Sequence, residues 1–372
     1  MAIVPKFRSL FEELENGYLE QKESLNSHSE KGKELLSILM GVVTRMEAWS
    51  YPIMGHLWEL DVDLSPNERN EHEEFIRHSK FQHILQEAPF FYQIINKPEG
   101  YAGDAEMMRI IYDNAFEGRT PFGMFVHKVA TQGFAAQAVR NRRTFLRVQI
   151  LQVKNSGGGN VLSIAAGPAM EIQDVLADDP SGDTYHFHAF DHDMKTIREI
   201  SRQCTDPRFS YVLGNAFHLI KGSYAVAVPR KPLMDYCDPR KDFKGIRKAF
   251  APVKYARMKL RKEAYALVYS AGLYDYIKTF PDDPAKGTIA LTKNLFELVQ
   301  PGGSLVIGNF NPDNPPEARF IMDYVSDWKL IYRTRGEMLD FARAIPEHRI
   351  SRMEVLQEPL GINYFLKIEK KM

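Results

Sequence analysis

The sequence predicts an α/β chain in two parts: a helical N-terminal domain over residues 1–154 and a doubly wound, mostly parallel sheet over residues 155–372. Three observations carry that expectation. Before residue 155 apolar residues recur at three and four, as in Leu35, Leu36, Ile38, Leu39 and Val42, then Phe75, Phe81, Ile84 and Leu85, with no alternating Val/Ile/Thr run. After NSGGG (155–159) short apolar runs alternate with amphipathic stretches, and such β-α-β order implies parallel pairing with right-handed crossovers. At 372 residues the chain is long for one domain, so a large domain with an accessory region is the default.

The elements follow in order. VLSIAA (161–166) reads as the first strand, followed by a helix through Ile172, Val175 and Leu176. YHFHAFD (185–191) is a second strand and MKTIREISRQC (194–204) a second helix, opened by Asp193 as its N-cap. FSYVLGNAF (209–217) and AYALVYSAGL (264–273) are the third and fourth strands. GTIALTKNLFELV (287–299) is helical, and PGG (301–303) turns the chain into a fifth strand, SLVIGNF (304–310). The end, RISRMEVLQEPLGINYFLKIEK, has the form of a closing hairpin.

Composition excludes several classes. Lys+Arg and Asp+Glu are equal at 48 each, so there is no global pull toward nucleic acid or anionic lipid. The N-terminus turns acidic before an apolar run of signal-peptide length, and no stretch is long enough to span a bilayer. Cys204 and Cys237 are the only cysteines, too few for a disulfide framework or a common zinc site. A soluble cytoplasmic protein without a metal is expected.

The informative stretch is VLSIAAGPAME (161–171): a strand running into a turn of small residues, then a helix. In a doubly wound sheet the first βα turn lies against the ligand, and backbone N–H groups at the helix start receive anions without side chains. Asp191, about 20 residues further on at the end of the second strand, is placed to accept from both hydroxyls of a ribose. Each feature alone fits tight packing or a solvated cap. Together they favour a nucleoside.

VLSIAAGPAMEI resembles the first motif of class I S-adenosylmethionine-dependent methyltransferases, commonly V-L-D-x-G-x-G-x-G. The resemblance continues through HAFDHD, LGNAF (213–217), LVYSAGLYDY (267–276) and LVQPGGSLVIGNF (298–310). PEGYAGDAEMM (98–108), QAVRNRR (137–143) and DWKLIYRT (327–334) look like a bacterial subgroup described as extracellular-factor, 3-hydroxypalmitic acid methyl ester biosynthesis proteins. The resemblance implies a Rossmann-like sheet of class I methyltransferase type with S-adenosylmethionine as cofactor. Ser163 replaces the motif's acid, and Ala165 and Ala169 replace glycines. Because Ala disfavours the left-handed region, the turn is expected to differ or to take its one positive φ at Gly167. Glu171 is a candidate for the lost acid.

The same resemblance places Ala165, Ala166 and Gly167 under the methionine moiety, Asp191 on the ribose with His192 beside the adenosine, and Asn215 and Ala216 along the adenine edge. Ser270 and Ala271 would face the sulfonium, and Gly272 to Tyr276 would lead to the acceptor, with Tyr274, Asp275 and Tyr276 as catalytic candidates. No His or Glu lies between Tyr265 and Lys278, which tilts the reading toward an acceptor needing no strong base, such as a carboxylate. His127 is a base candidate from the N-terminal half. Tyr101 in GYAGD, with Arg140 and Arg143, would bind a small-molecule or acyl acceptor through the arginine forks. Trp328 suits core packing, and if DWKLIYRT is helical it shares a face with Tyr332. NPDNPPE (311–317) follows the fifth strand rather than the fourth, unlike nucleic-acid amino methyltransferases.

Residues 217–263 exceed what a crossover needs. Lys221 to Lys262 carry 13 Lys/Arg against three Asp, consistent with a solvated helical insertion or with docking of an acidic carrier protein. Three other activities remain open: N- or hydroxyl O-methylation of a small metabolite, aminopropyl transfer on the same fold, and non-catalytic binding of S-adenosylmethionine.

Overall fold

The computed structural model describes residues 3–229 and 255–372, apart from 181 and 183. The chain divides into two compact units. The first comprises residues 1–140 and 313–329, and the second residues 141–312 and 330–372.

The first unit is helical. Its helices are α1 (Pro5–Asn26), α2 (Gly32–Glu59), α3 (Pro66–Arg77), α4 (Lys80–Leu85), α5 (Pro89–Asn96), α6 (Ala105–Asp113) and α7 (Pro121–Gln132). On α1 the stripe Phe7, Phe11, Leu14, Tyr18 and Leu25 is buried, as a 3.6-residue period requires. Such side chains each contribute about 1.5–3 kcal/mol by burial. Ser65 and Glu68 close a capping box at the start of α3.

Helix α8 (Phe134–Asn155) follows, and the division between the units falls inside it, ahead of the boundary expected at 154/155. Segment 313–329 belongs to the first unit for identifiable reasons. Gln82 Nε2 donates to the Val325 carbonyl at 2.8 Å, Arg319 lies over the Trp58 ring at 4.6 Å, and Lys329 pairs with Glu73 at 2.7 Å. Trp328 is buried, but residues 327–334 are not helical, so it shares no helix face with Tyr332.

The second unit is built on a sheet of strands β1 (Gly159–Ile164), β2 (Tyr185–Asp191), β3 (Phe209–Leu213), β4 (Ala225–Pro229), β5 (Tyr255–Lys259), β6 (Tyr265–Ser270), β7 (Val299–Phe310), β8 (Ile350–Gln357) and β9 (Asn363–Lys370). Among the described residues their order is β5-β4-β3-β2-β1-β6-β7-β9-β8. The pairs β3/β2, β2/β1, β1/β6 and β6/β7 are parallel, as expected from the alternating pattern. The closing hairpin forms, but β9 inserts antiparallel between β7 and β8. The described ends of the 217–263 segment form a short helix and the antiparallel edge strands β4 and β5, not a helical insertion. Residues 230–254, which carry most of its basic charge and the proposed carrier-docking surface, lie outside the described residues.

Helices α9 (Met170–Asp178), α10 (Met194–Gln203), α11 (Ala216–Ile220), α12 (Gly287–Leu298) and α14 (Arg335–Asp340) of this unit, with α13 (Pro316–Arg319) of the first, complete the α-helices of the described residues. The sheet is covered on both faces. Val161, Phe187, Leu267 and Val306 pack with Leu146 and Ile150 of α8 and Ile172 and Val175 of α9. Leu162, Ile164, Val268 and Ile307 face the other way, against Leu291 and Leu295 of α12 and Met338 of α14. That alternation along parallel strands makes the architecture doubly wound. No helix among the described residues is long and apolar enough to cross a membrane.

Candidate active site

The chain passes from β1 leftward to β2 and β3, then returns to place β6 on the other side of β1. The carboxyl ends of β1 and β6 therefore flank a topological switch point, the crevice where open α/β sheets bind ligands. Ser270, fully buried at the end of β6, donates its hydroxyl to the Ile164 carbonyl at 3.2 Å and ties the two strand ends together.

The turn from β1 into α9 has three residues in the left-handed region: Ala165 (φ 53°), Gly167 (φ 51°) and Ala169 (φ 47°). The expectation of a single positive φ at Gly167 is corrected. The Ala substitutions keep the backbone shape that glycines adopt freely, at a cost of about 1–2 kcal/mol per Ala. The turn is held from β2. The Ala166 N–H donates to the Phe190 carbonyl at 3.1 Å, and the Gly167 N–H to Asp191 Oδ2 at 2.9 Å. A Cβ built on Gly167 would meet nothing within 4 Å, so the space above the turn is open. Helix α9 starts from Ala169 without a side-chain cap.

Asp191 is buried, and its Oδ1 accepts from the N–H groups of His192 (2.7 Å) and Asp193 (3.0 Å). Asp193 caps α10 through the Lys195 and Thr196 amides, as expected. His192 Nδ1 lies 3.4 Å from Asp191 Oδ1, and that carboxylate raises the imidazole pKa. Beyond β3, the Gly214 N–H donates to the Asp191 carbonyl at 2.9 Å, and a side chain at Gly214 would strike the Phe190 ring. Asn215 is exposed and caps α11 through Phe217 N–H; Ala216 is half-buried. Phe217 is 67% exposed beside Asn215, an aromatic at the rim of the site that the sequence did not single out.

Glu171, in the first turn of α9, is buried and accepts from the Tyr269 hydroxyl of β6 at 2.6 Å. Burial raises its pKa, and the Tyr269 bond and the charges of Arg142 and Arg143 oppose the rise. Past β6, Asp275 is 2% exposed and accepts the Phe310 N–H at 2.8 Å. Burial lifts its pKa to about 7 against the pull of that bond and of Arg142 and Arg333. Arg333, also buried, donates to the carbonyls of Tyr274 (2.7 Å) and Ile277 and to Asn309 Oδ1 (2.6 Å), fixing the loop after β6. Tyr274 is fully buried, with its hydroxyl 3.0 Å from Thr292 Oγ1, and burial raises its pKa; Tyr276 is exposed. Ala271 is half-buried, and its carbonyl accepts from Arg142 Nη1 at 2.9 Å.

Ala165, Ala166, Gly167, Asp191, His192, Ser270 and Ala271 thus lie at the carboxyl ends of β1, β2 and β6, with Asn215 and Ala216 after β3. The acceptor candidates fall in different units. Tyr101 and Arg140 are in the first, where Arg140 donates to the Ile111 and Thr131 carbonyls and to Gln137. Arg143 is in the second and pairs with Asp174 at 2.6 Å. His127 is buried in the first unit, with Nδ1 accepting from the Phe90 N–H. Burial and the charges of Arg109 and Lys128 lower its pKa to about 4, so it is neutral at pH 7 with that nitrogen occupied.

No family model matches the sequence, and no curated protein matches it. Among solved structures the chain is similar to one described as a possible exported protein from Bordetella parapertussis, with a TM-score of 0.52 at 15% identity over 83% of this chain and 100% of that one. A looser likeness is to the CurJ carbon methyltransferase (TM-score 0.44, 12% identity, 98% of this chain and 92% of that one). Another is to 1,6-didemethyltoxoflavin-N1-methyltransferase of Burkholderia thailandensis, solved with 1,6-didemethyltoxoflavin and S-adenosylhomocysteine (TM-score 0.35, 13% identity, 62% of this chain and 79% of that one). At these identities the likeness concerns the fold. The fold is a doubly wound, Rossmann-like α/β sheet with a helical N-terminal region.

Proposed function

We propose that the chain is an S-adenosylmethionine-dependent methyltransferase acting on a small-molecule or acyl acceptor. The observation that carries the reading is the clasp between Asp191 and the Gly167 N–H, which shapes a small-residue turn open to solvent at the switch point. Ala165, Ala166 and Gly167 would run beneath the methionine part, and Asp191 would accept from the ribose through Oδ2, which has a second lone pair beside its bond from the Gly167 N–H. Asn215 and Ala216 would line the adenine edge, and Phe217 would offer its ring face. The cofactor, when bound, supplies an already activated methyl group. What remains for these residues is to align the acceptor and exclude water.

Carboxyl O-methylation is the first choice of reaction, because a carboxylate needs no base at pH 7. The narrower likeness to 3-hydroxypalmitic acid methyl ester biosynthesis proteins, which rests on the sequence motifs alone, fits an acyl carboxylate. A second reading is favoured by Asp275. A buried carboxyl with a pKa near 7 in the loop beyond β6 is suited to take a proton from a hydroxyl or amine acceptor.

Calorimetric titration with S-adenosylmethionine and S-adenosylhomocysteine, alongside Asp191→Ala, tests the proposal. Micromolar binding that the variant loses supports it. Absence of binding to either nucleoside by the wild-type protein refutes it.

A further inference from the structure

Among the described residues, the sheet of the second unit ends in an open edge. Strand β8 pairs with β9 on one side and with no strand on the other. Its sequence, ISRMEVLQ, contains no Pro or Gly, and its pairing runs without a register shift from Arg352 to Gln357. The unpaired N–H and C=O groups of such an edge are a template for another strand.

The ladder shows which groups face outward. The Glu358 N–H donates to the Asn363 carbonyl, and the pairing continues through Gln357 with Tyr364 and Leu356 with Phe365. Hydrogen-bonded pairs alternate along an antiparallel ladder, so the even-numbered residues of β8 bond to β9. Met353, Val355 and Gln357 therefore turn their backbone groups away from it. Arg335 of α14 agrees with that phase, since it donates to the Val355 carbonyl at 2.7 Å; the carbonyl keeps a second lone pair. Around Met353 the charges are arranged as opposites. Arg352 precedes it and Glu354 follows it, on one face of the strand and 2.9 Å apart. Arg352 and Met353 are exposed.

We propose that β8 is a self-association surface, on which a second copy of this chain pairs its own β8 antiparallel about a two-fold axis at Met353. In that register Met353 exchanges both backbone bonds with its counterpart, as its outward phase requires. Arg352 then lies opposite Glu354 of the second copy, and Glu354 opposite Arg352 of the second copy. Both are non-hydrogen-bonded pairs, where opposed side chains come closest. Sliding the strands by two residues sets Arg352 against its own counterpart in one direction and Glu354 against its own in the other. Charge thus selects one register and makes a second copy the matching partner. The inference is independent of the methyltransferase reading.

The test uses the full chain in sedimentation velocity over a concentration series. Wild type should show a reversible monomer–dimer equilibrium, and a monomer at all concentrations overturns the proposal. Arg352→Glu and Glu354→Arg each place two like-charged pairs across the axis, and each should weaken the dimer by about tenfold or more. Mixed one to one, the two variants regain both attractive pairs. They should form a heterodimer within about threefold of wild-type affinity, read by native mass spectrometry. That recovery also shows that both variants are folded. A wild-type dimer that neither reversal weakens forms elsewhere and overturns the proposal, as does a mixture of folded variants that stays monomeric. If Glu354→Arg fails to fold, Met353→Lys replaces it. With two lysines meeting on the axis it should be monomeric, and a dimer of unaltered strength defeats the proposal.

Discussion

Replacing Ala165 and Ala169 by glycine, one at a time, should give opposite results from the same chemical change. Both residues are left-handed, so each substitution relieves about 1–2 kcal/mol of backbone strain. Each also lets the unfolded chain explore more conformations, which costs about 0.4–1 kcal/mol. At Ala165, half-exposed in the turn, little else changes, and the net effect is a stabilisation of about 0.5–1 kcal/mol. Ala169 is fully buried in the core between the sheet and α9, so its lost methyl costs about 0.8 kcal/mol more, with a cavity term on top. Ala169→Gly should therefore be neutral or destabilising. Trp49, Trp58 and Trp328, the only tryptophans, all belong to the first unit, so their fluorescence reports that unit. The second unit is better followed by hydrogen exchange at the β1 amides Val161–Ile164. Slower exchange in Ala165→Gly, with none in Ala169→Gly, is the expected pattern. A loss of protection in Ala165→Gly would show that the turn is not strained and refute the reasoning.

Asp275→Asn should flatten the acid-to-neutral stability profile. A carboxyl whose folded pKa is raised contributes fully below its ordinary 3.8, and the contribution is lost as pH climbs through about 7, so the variant should gain on wild type above neutrality in urea midpoints. Tyr269→Phe strips the buried Glu171 of its donor and should cost about 1–3 kcal/mol; hydrogen exchange in β6 reads it, and a loss below about 0.5 kcal/mol would show that another group replaces the hydroxyl. Arg333→Met leaves the Tyr274 and Ile277 carbonyls and Asn309 without their donor, and about 3 kcal/mol of destabilisation in a urea titration is expected; a loss below about 0.5 kcal/mol would show that water replaces it.

The parallel strands were legible because their signal is local. A buried strand is a short apolar run, and its alternation with amphipathic helices implies both pairing sense and crossover. The order of β9 and β8 was not, since a hairpin's sequence is the same whichever of its strands meets β7. Nor was the place of segment 313–329, which depends on partners such as Gln82 and Trp58 more than 200 residues away. The left-handed Ala165 and Ala169 are illegible in the sequence for a related reason. Residue type suggests where Ala prefers to be, while here the clasp from β2 decides. QAVRNRR does not tell Arg142 from Arg140 and Arg143 because successive helix positions differ by about 100°, and only packing reveals which of three arginines in four residues reaches the Ala271 carbonyl.

Asp191 has two separable tasks, and this affects how its substitution should be read. Its carboxylate already accepts the Gly167, His192 and Asp193 amides, so Asp191→Ala disturbs the turn before any ligand arrives. Loss of binding in that variant alone does not separate a ribose contact from a collapsed turn. The 2′,3′-dideoxy form of S-adenosylhomocysteine distinguishes them. If Asp191 accepts from the ribose diol, wild type should favour the natural ligand by at least about tenfold, and Asp191→Ala should bind both forms weakly and equally. If the variant keeps the tenfold preference, the diol is read by another group, and Asp191 acts only by holding the Gly167 turn in its left-handed shape.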